Sequence, residues 1–284
     1  MGSSKKEILE SIPAQYHPTT VLLDKNISVE KLEYQMRQHG LSYPVILKPD
    51  VGERGFKVEL VHNSDECSDY LSTAKTDILV QEYLDLPLEL GVFYYRLPGE
   101  AKGSISSVVI KEMLTVEGDG ALSVRQLIQR KPRAKIQLKR LEMAITEQLH
   151  SIPGQGEVVL LEPIGNHNRG TAFLNGNHLI NDQLSEIFEG ISRQIDGFFY
   201  GRFDLRCQNL EALYRGDIKI MELNGAASEP AHIYAPNFPI GQGYKVLFEH
   251  WNVLYKISRA NHKSGIPYMS MRSGIEAIAR SRFT

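Results

Sequence analysis

The sequence predicts an α+β fold in which antiparallel-rich sheets pack against amphipathic helices. An apolar run at residues 44–49 is followed by a polar turn with glycine and a second run at 56–61, which predicts two paired strands. Residues 182–196 carry apolar side chains at a period of 3.6, which indicates a helix with one face on a core. Residues 171–180 hold Asn175-Gly176 between short apolar runs, a pair that favours a β-hairpin.

Local signals divide the first part of the chain into alternating helices and strands. Ser28 as an N-cap and Gly40 as a stop bracket one helix, and Asn63 followed by Glu66 resembles a capping box that starts another. The predicted elements are a helix over 26–40, strands over 44–49 and 56–61 around a turn at 50–55, a helix over 63–74 and a strand over 78–83.

The second part of the chain also shows the apolar periodicities of helices and strands. The clearest is the stripe of the helix over 182–196, formed by Leu184, Ile187, Phe188, Ile191 and Ile195. The other predicted elements are strands over 89–97, 103–111 and 158–162, a helical stretch over 123–150, strands over 198–206 and 217–223 around a polar turn, and a helix over 243–261.

Composition excludes several classes of protein. The formal net charge of -2 gives no electrostatic reason to expect a nucleic acid or membrane partner. Cys67 and Cys207 are the only cysteines, too few for a disulfide framework, so a reducing cytoplasm is the expected location. The polar residues 1–10 do not resemble a signal peptide. A homodimer is left open.

Two polar strands predict a metal site. Arg202, Asp204 and Arg206 alternate along one strand, and Glu222 and Asn224 alternate along the next, so each set projects from one face. If these strands pair, two carboxylates and an amide oxygen converge as ligands for Mg²⁺, with Mn²⁺ as a substitute. The alternative is a polar sheet face whose aspartate makes an ordinary surface ion pair.

Several motifs, in their order and spacing, resemble the ATP-grasp superfamily. They are PVILKP, the loop DVGERGF, QEYL followed by Glu89, GRFD and MELN. Within the superfamily the chain resembles D-alanine:D-alanine ligase-like carboxylate-amine ligases, and VEGDGALSVRQLI is similar to a segment of cyanophycin-synthetase and glutathione-synthetase relatives. The resemblance implies an N-terminal lobe over 1–82 and a C-terminal lobe over 83–284, with the nucleotide held between two antiparallel-rich sheets.

The resemblance also implies an ATP site. Lys48 would contact the α- and β-phosphates, the backbone of the glycine loop would cover the triphosphate, and the hinge would recognise adenine. Alternatives are a solvated Lys48 and a Glu82 side chain that merely faces water. The implied nucleotide residues are Lys48, Gly52, Glu53, Arg54, Gly55, the hinge Glu82, Tyr83 and Leu84, Glu89 at the ribose, and Lys111 as a second phosphate contact. Lys5 and Lys6 are candidates for an earlier phosphate lysine, in a segment that could equally be a frayed terminus.

The remaining implied residues concern catalysis and substrate. By their match to the family motifs, Asp204, Glu222 and Asn224 would hold the metal, and Arg202 would stabilise the transition state together with Lys48 and Arg54. The predicted substrate contacts are Asn168, Arg169, Arg206, Glu229, His232 and Tyr234. For His232 and Tyr234 the alternative is a loop packed against the core by its own aromatic ring.

These residues predict an ATP-dependent ligase that joins a small carboxylate to an amine through an acyl phosphate. The alternatives are a phosphotransferase acting on a small-molecule hydroxyl and a nucleotide-binding module without catalysis. Ligases of this type normally carry a preceding α/β domain, and the sequence leaves open whether such a domain is trimmed or naturally absent.

Overall fold

The structure is a computed structural model that describes residues 4–52 and 57–282, with side chains up to Glu276. It divides into two compact units. The large unit takes the chain up to Ile110 and again from Asn175, and the small unit is Lys111–Leu174. The lobe boundary after residue 82 stays a prediction, and a unit formed by residues 111–174 is absent from the sequence-based expectations.

Eleven strands are assigned within the described residues. They are β1 (Thr20–Leu23), β2 (Val45–Pro49), β3 (Glu59–Val61), β4 (Ile78–Glu82), β5 (Leu88–Tyr95), β6 (Ser104–Glu112), β7 (Leu114–Glu117), β8 (Val158–Glu162), β9 (Ala172–Asn175), β10 (Tyr200–Cys207) and β11 (Ile218–Asn224).

The described residues also form ten α-helices. They are α1 (Lys5–Glu10), α2 (Val29–Gln38), α3 (Ser64–Ser72), α4 (Val124–Arg130), α5 (Pro132–Ile136), α6 (Leu138–Ala144), α7 (Asp182–Arg193), α8 (Leu210–Arg215), α9 (Ile240–Lys263) and α10 (Met271–Arg282). None of the described helices combines the length and apolarity that crossing a bilayer requires.

The first sheet of the large unit has the strand order β1-β4-β2-β3, and all its pairings are antiparallel. The helices α2 and α3 cover it, and the predicted N-caps are confirmed: Ser28 accepts from the Lys31 amide and Asn63 from the Glu66 amide. Leu32, Leu47 and Cys67 are fully buried in this core. Each of these strands and helices therefore buries one apolar face, and together these faces form the core between the sheet and the two helices.

The second sheet of the large unit contains β11-β10-β5-β6 in that order. Its two faces differ in character because side chains alternate along each strand. Phe203 and Leu205 point into the core formed with α7, where Phe188 is fully buried. The opposite face carries the polar residues of β10 and β11, and α9 packs beside them over Phe93 and Tyr200.

The small unit has its own core. Strands β7 and β8 pair antiparallel, and α4 to α6 pack on them through Val124, Ile128 and Leu141. The helix α4 begins with a complete capping box, in which Ser123 and Gln126 each accept from the backbone of the other. The predicted helical stretch over 123–150 is present as the separate helices α4, α5 and α6, because Pro132 at the first turn of α5 lacks an amide hydrogen and starts a new helix.

The predicted hairpin at Asn175-Gly176 is also wrong. A two-residue hairpin turn of this composition needs positive φ at both positions, but Gly176 has a φ of -102°. The Asn175 carboxamide instead accepts from the Asn177 amide at 3.0 Å and starts a 3-10 turn. The Gly176 amide donates to the Val108 carbonyl at 2.9 Å, so the turn is held by β6 rather than by a returning strand.

Two further expectations differ from the structure. Strands β10 and β11 are joined by the helix α8 rather than by a simple polar turn. The N-terminal segment is ordered as α1, whose N-cap Ser4 accepts from the Glu7 amide. Leu9 and Ile12 anchor this segment in the large core, which explains why it does not fray.

Candidate functional site

The polar face of β10 and β11 forms the centre of the candidate site. Arg202 lies opposite Asn224 and Asp204 lies opposite Glu222, so the predicted pairing of these strands is confirmed. The register shifts directly after Asp204. Irregularities of this kind increase the local twist and re-aim side chains. Two carboxylates, an amide and a guanidinium thus share one small area of the sheet.

Asp204 is the most buried of these groups and is held by two neighbours. The Arg202 guanidinium donates to both its carboxylate oxygens, from Nε at 2.8 Å and from Nη2 at 3.1 Å. Asn224 Nδ2 donates to Oδ2 at 3.3 Å. Because Asp204 is only 5 % exposed, this contact is a buried bidentate pair and not an ordinary surface ion pair.

Gly91 makes room for this arrangement, and sequence reasoning missed it. Gly91 of β5 lies directly opposite Asp204. A Cβ at this position would meet Val109 Cγ1 at 2.7 Å, Asp204 Oδ1 at 3.0 Å and Arg202 Cδ at 3.1 Å. The missing side chain is therefore required by close packing, and a glycine inside an otherwise apolar strand was the available signal.

Lys48 is a buried cation at the end of β2. Its Nζ donates to Gln81 Oε1 at 3.0 Å, and Gln81 Nε2 donates in turn to Thr20 Oγ1 at 2.9 Å. Burial lowers the pKa of Lys48 to about 8, against the opposing effect of the Glu222 carboxylate. A lysine from the first sheet and a carboxylate from the second sheet therefore interact electrostatically, and the solvated alternative is wrong for Lys48.

The helix α1 brings a second lysine to the same place. Lys5 Nζ donates to the Pro49 carbonyl at 2.9 Å, and its positive charge contributes to the lowered pKa of Lys48. The carboxylate of the buried Asp50 accepts from Ser4 Oγ and from the Lys6 amide, both at 3.0 Å. Lys6 is directed elsewhere, since its Nζ binds the Thr20 carbonyl and Glu10. Lys5 is thus the better candidate for an early phosphate lysine.

Part of the predicted glycine loop can be placed. Gly52 has a φ of 142°, which strongly favours glycine. Its position lies next to Lys5 Nζ, 4.0 Å from where a Cβ would stand. The predicted loop residues Glu53, Arg54 and Gly55 lie outside the described residues.

The hinge at residues 82–84, at the end of β4, makes hydrogen bonds to other segments at both of its ends. The Glu82 carboxylate accepts from the Thr19 amide at 3.1 Å, so this side chain does more than face water. The Leu84 carbonyl accepts from Arg206 Nη1 at 2.7 Å, and the same guanidinium lies 5.8 Å from the centre of the Tyr83 ring. The conformation of the hinge therefore depends on a residue of β10.

Arg206 also makes a buried ion pair with Glu89, which lies opposite it across β10 and β5. Arg206 Nε and Glu89 Oε2 are 2.8 Å apart, and both side chains are buried. Removing one partner of such a pair leaves an uncompensated charge and costs about 3–5 kcal/mol. These contacts give Arg206 a positioning role at the hinge. The predicted roles of Glu89 at the ribose and of Arg206 at the substrate stay predictions.

The loop after β11 holds three of the predicted substrate contacts. The Glu229 carbonyl accepts from Arg202 Nη1 at 3.0 Å, and the Tyr234 hydroxyl donates to the Glu229 carboxylate. His232 is buried, with its Nδ1 2.6 Å from Ser107 Oγ, which agrees with the packing alternative for this residue. Burial lowers the pKa of His232, so the ring is neutral at pH 7. Substrate contacts at Glu229 and Tyr234 stay predictions.

Three predicted site residues belong to the small unit. Lys111 is its first residue and is half-buried. Arg169 lies 3.6 Å from the buried Glu162 carboxylate, which Arg140 also approaches at 2.6 Å. The Asn168 carbonyl accepts from Gln137 Nε2 at 3.0 Å. Within this unit Arg169 and Asn168 therefore stabilise the loop that they belong to, and their substrate roles stay predictions.

The donor set on β10 and β11 suits a hard cation. Asp204 and Glu222 supply carboxylate oxygens and Asn224 an amide oxygen, all from one sheet face. Mg²⁺ needs few protein ligands because water and phosphates complete its octahedral shell. Among the described residues no group of three or more His, Cys, Asp or Glu is arranged as a metal cluster. Two carboxylates and one amide could hold Mg²⁺ where water and an anionic ligand supplied the remaining oxygens.

A comparison with protein families gives a match over the first part of the chain. Residues 15–89 match the model of the RimK-like ATP-grasp domain. This match covers β1 to β4 and the first residues of β5, including Lys48 and the hinge. This part of the chain is similar to that domain, in agreement with the ATP-grasp motifs PVILKP and QEYL that lie within it. No curated protein matches the sequence.

Several solved structures are similar to the chain. Bifunctional glutathione synthetase from Pasteurella multocida is 19 % identical, with 87 % of this chain and 35 % of that one covered and a TM-score of 0.41. D-alanine--D-alanine ligase from Bacillus anthracis is 13 % identical, with coverage of 92 % and 67 % and a TM-score of 0.47. VanG D-Ala:D-Ser ligase from Enterococcus faecalis is 13 % identical, with coverage of 88 % and 61 % and a TM-score of 0.49. The chain thus spans one to two thirds of their lengths.

Proposed function

We propose that this protein is an ATP-dependent ligase that activates a small carboxylate as an acyl phosphate and joins it to an amine. The observation that carries the proposal is the polar face on which Asp204 lies opposite Glu222 and Arg202 opposite Asn224, in the same compact unit as the buried Lys48. It combines a cation suited to the phosphates of ATP with the carboxylates suited to Mg²⁺ in one compact unit.

In such a reaction the residues of the large unit have separate roles. Lys48, supported by Lys5, binds phosphate oxygens, and the backbone of residues 82–84 holds the adenine. Asp204, Glu222 and Asn224 would hold Mg²⁺, and the ion would supply positive charge to the transferring phosphoryl group. Arg202 already binds Asp204 and the Glu229 carbonyl, so its guanidinium is oriented before a substrate arrives. Preorganised donors of this kind stabilise the developing oxyanion.

Attack by a substrate carboxylate on the γ-phosphorus of ATP forms the acyl phosphate and releases ADP. An amine then attacks the acyl carbon, the tetrahedral oxyanion collapses, phosphate leaves and the amine nitrogen loses a proton. The protein supplies no nucleophile in this sequence. A phosphotransferase would instead leave a phosphorylated hydroxyl, and a binding module would leave ATP intact.

The test is ATP turnover with pooled small carboxylic acids and amino acids, with hydroxylamine as a general amine. We expect release of ADP and formation of a hydroxamate that needs both Mg²⁺ and an acid. Asp204→Asn keeps the size of the side chain but removes its charge, and it should lower hydroxamate formation on the order of 10²-fold. ATP turnover without a hydroxamate, or no turnover with any pool, would contradict the ligase.

The matched control is Asp217→Asn. Asp217 is a solvent-exposed aspartate beside β11 whose described ion pair is with Arg215, 2.9 Å away. The replacement removes the same charge from the same region of the chain, yet it leaves the polar face of β10 and β11 intact. Its activity should equal that of the unaltered protein.

A further inference from the structure

The long helix α9 exposes a row of large apolar side chains. We call this row the α9 stripe: Ile240, Tyr244, Phe248, Trp251 and Tyr255, which are 79 %, 61 %, 64 %, 57 % and 59 % exposed. Phe248 and Trp251 already pack edge to face, with ring centres 5.5 Å apart. Single exposed apolar residues are normal on a protein surface, but a continuous row of five marks an interaction site.

Helix geometry separates the stripe from the face of α9 that packs on its own chain. At about 100° per residue, the five side chains fall within a sector of about 80°. His250, Leu254 and Ile257 belong to a different sector, which packs against Tyr200 and Phe93. Lys245, Glu249 and Lys256 occupy the remaining sector. The helix is therefore apolar on two faces, although the described part of its own chain covers only one.

The exposed area is comparable to one side of a dimer interface. Each aromatic side chain presents about 150–250 Å² when fully exposed, so at its observed exposure each contributes roughly 100–150 Å². With Ile240 the stripe offers roughly 500–700 Å², close to the ~800 Å² per partner of a standard interface. Aromatic residues are also the type enriched at the centres of interfaces.

We propose that the α9 stripe binds the α9 stripe of a second copy of this chain, with the two helices antiparallel. The row is nearly symmetric about Phe248, so a two-fold axis there places Tyr244 opposite Trp251 of the other copy. Such a self-complementary contact closes after two copies.

The charges beside the stripe agree with this pairing. In the antiparallel arrangement the cationic Lys245 comes at the level of Trp251 of the other copy, and Arg259 lies beyond the first residue of the other copy's α9, Ile240. No cation of the polar sector meets its own copy across the axis. A parallel arrangement would place Lys245 and Lys256 beside their copies, at an energetic cost.

Trp251 makes the proposal directly measurable, because it is the single tryptophan of the chain. Sedimentation equilibrium of the full chain should give twice the 32.1 kDa of one copy at high micromolar concentration. Over the same dilution series, Trp251 emission should shift to longer wavelength as the dimer dissociates and exposes the indole. The two curves should report the same dissociation constant.

Phe248→Asp tests the axis, since it places two carboxylates face to face. We expect the dimer to weaken by about 30-fold or more. The control is Tyr34→Asp on α2, an aromatic residue of similar exposure on another helix, which should leave association unchanged. Unchanged circular dichroism and thermal unfolding of both variants show that the fold is intact.

Three results would overturn the proposal. The first is a single-chain mass at every concentration with a constant, exposed Trp251 emission. The second is a dimer that Phe248→Asp does not weaken. The third is a single-chain protein whose Trp251 emission shifts on addition of phosphatidylserine vesicles, which would assign the stripe to a lipid surface.

Discussion

Lys48 illustrates how the electrostatics of single residues prepare this site for an anion. A buried ammonium group loses its hydration, and that loss is why its pKa falls from 10.5 to about 8. Gln81 supplies one neutral acceptor, while Lys5 adds repulsion. Burial and the charge of Lys5 together outweigh the attraction of the Glu222 and Asp50 carboxylates, so the charged form of Lys48 is less favoured here than in water. A triphosphate would relieve this imbalance, and a neutral ligand would not.

This imbalance predicts a pH dependence of nucleotide affinity. Phosphates favour the charged form of Lys48, so binding raises its pKa and takes up a proton when the pH is above about 8. Affinity for Mg-ATP should hence fall as pH rises through 8, by up to tenfold per pH unit. Titration calorimetry from pH 7 to 9.5, in buffers of different ionisation enthalpy, measures both affinity and proton uptake.

The control is Lys48→Arg, which keeps the positive charge across this range. Its affinity should be independent of pH between 8 and 9.5, with no proton uptake. The stability of the nucleotide-free protein is a second measurement, and it should change with pH in the opposite direction to the affinity for Mg-ATP. Between about 8 and 10.5 the unfolded chain keeps a proton that folded Lys48 has lost, so stability rises with pH. Equal pH profiles in the two proteins would show that Lys48 is not responsible.

At the scale of elements, the contact between β5 and β10 determines how the polar face is built. The strands pair along their full length, from Tyr200 opposite Tyr95 to Cys207 opposite Leu88. On the polar face this pairing sets apolar aromatic residues at one end, Gly91 beside Asp204 in the middle and the Glu89–Arg206 ion pair at the other end. This order of side chains along β5 and β10 places the hinge next to the ion pair and α9 next to the aromatic end.

We expect Gly91→Ala to disturb the site more than the fold. The added Cβ has no space between Val109, Asp204 and Arg202, so the Asp204–Arg202 pair must move. Overpacking of this kind costs about 1–3 kcal/mol. Hydroxamate formation should fall by at least about tenfold in kcat, because transition-state stabilisation is sensitive to small displacements. Steady-state kinetics and thermal unfolding measure the two effects separately.

Gly190→Ala is the matched control for this substitution. Gly190 lies inside α7, and nothing lies within 4 Å of where its Cβ would stand. Alanine is favoured over glycine inside a helix by about 1 kcal/mol, so this variant should be slightly more stable and fully active. A Gly91→Ala protein with the same turnover as the Gly190→Ala protein would show that β5 does not constrain Asp204.

At the scale of the whole molecule, the two compact units have separate apolar cores. The small unit is centred on Leu141 and the large unit on Phe188, and both side chains are fully buried. Separate cores allow separate local unfolding, because each unit loses mainly its own contacts when it opens. The part of the chain that interrupts the large unit can then open independently.

Hydrogen exchange can test this independence. Leu141→Ala should cost about 2–5 kcal/mol and speed amide exchange in α4 and β8. Phe188→Ala should cost about 3–5 kcal/mol and speed exchange in α7 and β10. Mass spectrometry of peptides from each unit measures both patterns in the full chain. Equal acceleration of all peptides by either variant would mean that the units unfold together.

The sequence by itself determined the local elements and which side chains of β10 and β11 share a face. The capped helices α2, α3 and α7 and the alternation of Arg202, Asp204 and Arg206 follow from periodicities of 3.6 and 2, which are properties of short segments. Motif order predicted the ATP-grasp resemblance, and residues 15–89 match the model of a RimK-like ATP-grasp domain. The convergence of β10 and β11 also followed, because strands close in the chain commonly pair.

Only the tertiary structure decided which distant groups meet. Three features depend on segments that are far apart in the chain. They are the ion pair of Glu89 with Arg206, the position of Lys5 beside Lys48, and the close packing around Gly91 that leaves no space for a side chain. The Asn175-Gly176 hairpin failed for the same reason, since β6 holds that turn in another conformation. The apolar stripe of α9 could be assigned to the surface only after a different face of the helix, with Leu254 and Ile257, was found in the core. Local periodicity depends only on residues that are close in the sequence, whereas burial and charge pairing depend on the packing of the whole chain.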